Sequence, residues 1–156
     1  QPIASFNYGA KKYARVKRAY LSAIKSAAII CVVSFILFQF FPRQILSIFG
    51  NGSDLYYEFG VRYIRIFLFG IILFFNQPIT SNFFTSIGKP QKGVFLSLTR
   101  QVLFFIPLVL ILPLFFGING IIYTGPAADI TAFIVSGAMI LHELRKPEFA
   151  NHACTA

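Results

Sequence analysis

Residues 26–42 read SAAIICVVSFILFQFFP, and none of their side chains is charged. With the preceding turn from Ser22, this apolar segment contains about 20 residues, and a helix of that length rises ~30 Å at 1.5 Å per residue. The hydrocarbon core of a bilayer has about the same thickness. We therefore predict a transmembrane helix at 21–42, ending at Pro42.

Three more apolar stretches follow along the chain, and each is long enough to cross a membrane. They predict transmembrane helices at 61–88, 93–116 and 120–141. Membrane β-strands need only about 9–11 residues and alternate between apolar and polar positions, which these stretches do not. The predicted fold class is therefore all-α, a polytopic membrane protein with four transmembrane helices.

The composition of the chain excludes most other classes of protein. Of its 156 residues, 56% are hydrophobic and 12% are charged, whereas soluble domains average about 45–50% and 25%. So few polar residues could not cover the surface of a soluble enzyme. The sequence also offers no nucleophile–base pair, no glycine-rich phosphate loop and no metal-ligand spacing. We therefore predict no enzymatic activity, no cofactor and no bound metal.

The distribution of charge predicts the orientation of the helices. A net charge of +9 could attract nucleic acid, but in so apolar a chain attraction to anionic lipid explains it better, and we predict no nucleic-acid partner. Cations are concentrated at 1–20, 89–92 and 142–156, whereas 43–60 is mixed and 117–119 has none. Because basic loops favour the cytoplasm, we predict that both ends are cytoplasmic and that 43–60 and 117–119 are external.

The leading basic segment has two possible structures. Its tyrosines and Val16 recur at spacings of three to five residues, with lysines and arginines between them. This pattern is typical of a short helix that lies in the headgroup layer of a membrane. A solvated basic loop fits the same residues, and we leave both interpretations open for 1–20.

Several short strings, taken in order, resemble motifs of one transporter family. The strings are FNYGAK at 6–11, SIGKP at 86–90, RQ at 100–101 and PAAD at 126–129. They resemble the last part of the multidrug and toxic compound extrusion (MATE) transporters. The resemblance covers nearly the whole chain, but only the last third of a twelve-helix protein.

The resemblance implies a function and a set of partners. This chain would supply four helices of the six-helix second lobe, and the eight preceding helices of the same transporter would be its partner. The start at Gln1 instead of Met agrees with this expectation of a fragment. Such transporters exchange H⁺ or Na⁺ for organic cations and amphipathic drugs by alternating access. The implied location is a bacterial-type plasma membrane, with the lipid bilayer as a further partner.

Two other functions and the choice of coupling ion remain open. A lipid-linked oligosaccharide flippase of the wider exporter superfamily is one alternative, although we expect it to have more cations within its spans. A non-transporting four-helix membrane scaffold is the other, and the missing initiator Met argues against it. A sodium-coupled branch of the family has an acid on its tenth helix, whereas 66–88 contains none. The sequence therefore leaves H⁺ and Na⁺ undecided.

The third and fourth predicted spans each contain one charged residue, Arg100 and Asp129. A charge near the middle of a bilayer costs about 2.5–3.5 kcal/mol on insertion scales, so such a residue faces protein or water. The helical rise places Arg100 roughly 10 Å and Asp129 roughly 18 Å from the same end of two antiparallel helices. We predict that they pair, either as a structural ion pair or as part of a cation relay.

A group of polar residues surrounds Pro78 in the second predicted span. Asn76 pairs with Thr80, and Gln77 with Ser81, at a spacing of four residues, so two adjacent strips of this helix are polar. Lipid would not tolerate such a face. The four residues either bond to neighbouring helices or line a wet cavity that binds substrate, and the sequence favours neither interpretation.

Overall fold

The computed structural model describes residues 1–50 and 52–150, and 90% of these residues are helical. No strand occurs within these residues. The α-helices are α1 (Pro2–Gly9), α2 (Tyr13–Phe40), α3 (Pro42–Phe49), α4 (Asp54–Phe67), α5 (Ile71–Phe74), α6 (Asn76–Ser86), α7 (Pro90–Leu98), α8 (Ile106–Phe116), α9 (Ile118–Leu144) and α10 (Pro147–Ala150). The all-α class of a polytopic membrane protein is confirmed.

Three helices are long and apolar enough to cross a membrane, among the residues that the structure describes. They are Tyr13–Phe40, Pro90–Phe116 and Ile118–Leu144. Large apolar side chains such as Ile29, Leu110 and Ile134 are exposed on these helices. Contact with lipid or with further helices explains such exposure, which water would not favour.

The first of these helices begins earlier than the sequence predicts. The basic residues from Arg15 onward form the first turns of α2, so the predicted start at 21 is late. The segment 1–20 is mostly helical, as one of its two interpretations expects, but its second half continues into the spanning helix instead of forming a separate short helix. The reason is tertiary packing, because Val16 and Tyr20 are buried in a cluster with side chains of α6 and α9. The hydropathy pattern predicts only the apolar part of this helix, because the basic first turns do not resemble a membrane span.

The predicted external loop at 43–60 is mostly helical. Pro42 starts α3, where its fixed φ and missing N–H suit the first turn of a helix. Ser53 then caps α4, since its side chain accepts a hydrogen bond from the backbone N–H of Tyr56. Gly50, at φ +146°, ends α3 in a conformation that favours glycine. The turn signals in this segment therefore mark a short break between two helices.

The predicted span at 61–88 is interrupted instead of continuous. A 3₁₀ turn at Leu68–Gly70 separates α4 from α5, and a second break separates α5 from α6. Pro78 explains the second break, because it has no N–H to donate and its ring would clash with the carbonyl group of Phe74. The described residues thus contain three continuous spanning helices, and this broken segment packs against α9 and α2.

The last two spanning helices form a tight hairpin. Gly117, at φ +57°, separates α8 from α9, and the predicted hairpin at 117–119 shrinks to this residue. The two helices approach so closely that a side chain at Gly120 would meet the carbonyl group of Leu112. This contact fixes α9 against α8 and sets the depth of Asp129 relative to Arg100.

Candidate functional site

Arg100 and Asp129, which the sequence predicts to pair, form an ion pair between neighbouring helices. Nε and Nη2 of Arg100 each lie 2.8 Å from Oδ1 of Asp129. The carboxylate side chain is 7% exposed and the guanidinium side chain is 23% exposed. Charge-assisted hydrogen bonds of this kind are about twice as strong as neutral ones. The pair therefore ties α9 to the segment that carries Arg100.

An unusual backbone conformation presents Arg100 to its partner. Residues Thr99–Phe105 form a π-helical segment, in which the N–H of Ile106 bonds to the carbonyl oxygen of Gln101. Pro107 follows directly, and an α-helical register there would require a hydrogen bond that proline cannot make. Such π-segments widen the helix locally and are frequent at functional sites.

Two further residues enclose the ion pair. The Cζ atom of Arg100 lies 4.8 Å from the centre of the Phe74 ring, which is a cation–π contact. The backbone of Gly70 lies against Asp129 so closely that a Cβ there would be 3.0 Å from the Cβ of Asp129. The 3₁₀ turn that contains Gly70 thus leaves space for the carboxylate, and a larger residue at this position would fill that space.

The four polar residues around Pro78 lie between helices, and the structure buries each of them. The side chain of Asn76 donates to Oγ of Ser136 at 2.7 Å. The side chain of Gln77 donates to the carbonyl oxygen of Leu96 at 2.8 Å. The first bond joins α6 to α9, and the second joins α6 to α7.

Thr80 and Ser81 continue the same pattern. Thr80 Oγ1 lies 2.9 Å from the hydroxyl of Tyr20, which joins α6 to α2. Ser81 Oγ donates to the carbonyl oxygen of Gly93 at 2.7 Å and lies 2.8 Å from Oγ of Ser97. Within the described part of the chain, no buried side-chain N or O lacks a partner. These contacts favour the interhelical interpretation, and substrate binding by the four residues stays a prediction.

Sequence reasoning missed a charged cluster at one end of the bundle. The side chain of Glu143, 0% exposed, accepts hydrogen bonds from Lys89, from Lys92 at 2.9 Å and from Lys146 at 3.0 Å. The three lysines belong to the cation-rich segments 89–92 and 142–156, from which only the orientation of the helices is predicted. An acid directly after the last apolar span, on a chain with five acids in all, was the signal that could have revealed the cluster.

A second feature that the sequence did not predict is a cavity of about 740 Å³ beside α3 and α4. Its lining includes three arginines and two acids, namely Arg43, Arg62, Arg65, Asp54 and Glu58. The Cζ atom of Arg43 lies 5.2 Å from the centre of the Tyr57 ring. The cavity therefore combines aromatic and charged groups, with a small excess of positive charge.

The fold and its polar interior define the class of the protein. Long apolar helices with exposed apolar faces, joined by buried hydrogen bonds and by ion pairs of buried carboxylates, are the properties of a polytopic α-helical membrane protein. The described residues contain no group of three His, Cys, Asp or Glu that could hold a metal ion. A charge-compensated interior of this kind is suited to fixing helices relative to one another.

Comparison with known proteins identifies the family. The MatE family model matches residues 1–111, and the chain belongs to that family, which is a family of membrane transporters. The matched residues include Arg100 but not Asp129. None of the curated proteins matches the chain. The resemblance inferred from the short strings is thereby confirmed.

Solved structures share this fold. One, described only as protein A, is 33% identical with a TM-score of 0.84, and the match covers 92% of this chain and 32% of that one. An inward-facing multidrug resistance MATE family transporter of the MOP superfamily is 21% identical with a TM-score of 0.82, covering 94% and 35%. An outward-facing one is 22% identical with a TM-score of 0.81, covering 91% and 33%. The chain spans about a third of the length of these proteins.

Proposed function

We propose that this chain is the C-terminal part of the second lobe of a secondary active multidrug efflux antiporter. The whole transporter would export organic cations and amphipathic drugs in exchange for H⁺ or Na⁺, and would reside in a bacterial-type plasma membrane. Membership of the MatE family is the observation that carries the proposal. The eight preceding helices would complete the pathway and act as the partner of this chain.

The structural likenesses support alternating access as the mechanism. The fold of this chain resembles an inward-facing and an outward-facing transporter about equally, with TM-scores of 0.82 and 0.81. Rocking of two rigid lobes around a central site would leave the inside of each lobe unchanged. The interhelical bonds of Asn76, Gln77, Thr80 and Ser81 would supply that rigidity.

We assign a structural role to the ion pair within this lobe. Asp129 already has its charge compensated by Arg100, so a relay through Asp129 would first have to displace the guanidinium. Breaking a buried pair by removing one partner costs about 3–5 kcal/mol. Coupling through acids on the preceding helices avoids this cost, and we propose that H⁺ or Na⁺ binds there.

One observation favours the flippase alternative. Three arginines line the cavity beside α3 and α4, and a site rich in guanidinium groups is suited to phosphate. A MOP superfamily transporter from Pyrococcus furiosus, described by a reversed polarity of its binding pocket that suggests a different function, shares the fold with a TM-score of 0.74 at 21% identity. A lipid-linked oligosaccharide is therefore the second substrate class to test.

Transport by the full-length protein in proteoliposomes tests these proposals. We expect a fluorescent organic cation to move against its own concentration gradient when a gradient of H⁺ or Na⁺ is imposed. This movement should stop when an ionophore collapses the imposed gradient. The same vesicles are then loaded with a labelled lipid-linked oligosaccharide. If this lipid is transferred between leaflets and the cation does not move under either gradient, the protein is a flippase and the antiporter proposal is wrong.

A further inference from the structure

The Glu143 cluster gathers three ammonium groups around one carboxylate. Oε1 of Glu143 accepts from Lys89 and Lys146, and Oε2 accepts from Lys92. The carboxylate is buried, whereas the side chains of Lys89 and Lys92 are 28% and 40% exposed. Glu143 therefore holds the lysines together from below and leaves their outer sides accessible.

The charges within this cluster do not balance. Lys89 and Lys92 alone place two positive charges beside the single negative charge of Glu143, so positive charge is in excess at this point of the surface. An ammonium group has three N–H donors, and Lys89 and Lys92 each direct one of them at Glu143. The cluster can therefore bind another anion without giving up its carboxylate.

The position of the cluster indicates what that anion is. Lys89 and Lys92 lie where α6 ends and α7 begins, and Glu143 lies at the end of α9, so the cluster is located at the end of spanning helices. The headgroup layer of a bilayer lies at this depth, and basic pockets between transmembrane helices bind anionic headgroups. A free anion from solution would need no such position.

A cavity of suitable size opens at the same place. It has a volume of about 450 Å³ and is lined by residues 88–92, including both Lys89 and Lys92. Sites for small molecules range from about 300 to 1,000 Å³. The ring of Phe84 lies 5.6 Å from Nζ of Lys92 and supports that side chain from the apolar side.

We propose that the Glu143 cluster binds the phosphate of an anionic phospholipid at the end of α6, α7 and α9. The lipid phosphate accepts hydrogen bonds from Lys89 and Lys92, and its acyl chains follow the exposed apolar faces of the helices. Binding joins the loop at 89–92 to the end of α9 and stabilises this end of the lobe. The site is independent of the substrate that the transporter carries.

Lipid titration of the full-length transporter in detergent tests the site. Phosphatidylglycerol is added with phosphatidylcholine as the neutral control, and the melting temperature and the lipids retained in native mass spectrometry are measured. We expect phosphatidylglycerol to raise the melting temperature. Lys92→Gln and Lys89→Gln should each weaken its apparent affinity about fivefold, and Lys92→Arg should retain most of it.

Two controls make the outcome decisive. Lys12→Gln removes an exposed cation of the leading segment outside the cluster, and it should leave lipid affinity unchanged. An equal loss in Lys12→Gln, or no loss in Lys92→Gln and Lys89→Gln, would overturn the proposal. Inorganic phosphate is titrated in parallel. Equal stabilisation by inorganic phosphate would mean that the cluster binds a soluble anion, which would also contradict a lipid site.

Discussion

Both Nε and Nη2 of Arg100 are directed at a single oxygen of Asp129, each at 2.8 Å. The second carboxylate oxygen points instead toward the backbone of Gly70, in the 3₁₀ turn that interrupts the segment between α4 and α5. One buried carboxylate therefore contacts the side chain of Arg100, which the π-helical segment carries, and the backbone of the 3₁₀ turn. The partners of Asp129 in the two contacts are different residues, so changing Arg100 or Gly70 tests each contact separately.

The ion pair should show strong energetic coupling. Asp129→Asn strands the guanidinium of Arg100, and we expect it to destabilise the full-length protein by up to about 3–5 kcal/mol. The double change Asp129→Asn with Arg100→Gln should cost less than the sum of the two single changes. Melting temperatures of the four proteins in this cycle measure the coupling. Additive effects would mean that the pair contributes nothing to stability.

The contact at Gly70 should make that position intolerant of a side chain. We expect Gly70→Ala to destabilise the protein by about 1–3 kcal/mol, because the new methyl group would overlap the carboxylate of Asp129. Gly137→Ala in α9 is the matched control, since nothing lies within 4 Å of a Cβ there. Replacing glycine by alanine in an open helical position stabilises by up to about 1 kcal/mol. The melting temperatures of both variants are measured. A smaller loss in Gly70→Ala than in Gly137→Ala would contradict the close contact with Asp129.

The hydrogen bonds of α6 should matter for stability more than for transport. Gln77→Leu removes the bond to the carbonyl oxygen of Leu96, and such interhelical bonds average about 0.6 kcal/mol. We expect a survivable loss of stability, with any loss of efflux matched by a loss of protein in the membrane. Asn82→Leu is the control, because it removes an exposed hydrogen bond with Gln1 instead of a buried one. Lost efflux at a normal protein level and melting temperature would instead place Gln77 in the substrate pathway.

The charge distribution predicts which loops face the outside of the cell. Single cysteines are introduced at the exposed positions Asp54 and Gln91 after replacement of Cys31 and Cys154. We expect an impermeant thiol reagent to label position 54 on intact cells and position 91 only after the membrane is opened. The reverse pattern would invert the predicted orientation, with Lys89 and Lys92 then external.

The sequence alone determined the class of the protein and its relation to the membrane. Long uncharged runs such as 26–42 identify spanning helices because the hydrocarbon core of a bilayer requires mainly a certain length and an apolar surface. The pair Arg100–Asp129 was also accessible to sequence reasoning. Two charges in adjacent antiparallel helices have calculable depths, and a charge in apolar surroundings needs a partner.

Only the tertiary structure decided where the helices break and which polar groups meet. The 3₁₀ turn at Leu68–Gly70, which packs on α9, and the early start of α2 both accompany packing against neighbouring helices, which a linear pattern of hydropathy does not contain. The contacts of Gln77 with Leu96 and of Glu143 with Lys89 and Lys92 join residues far apart in the sequence. Such partners depend on how each helix is rotated about its axis and how close its neighbours lie, and these quantities arise only when the helices pack together.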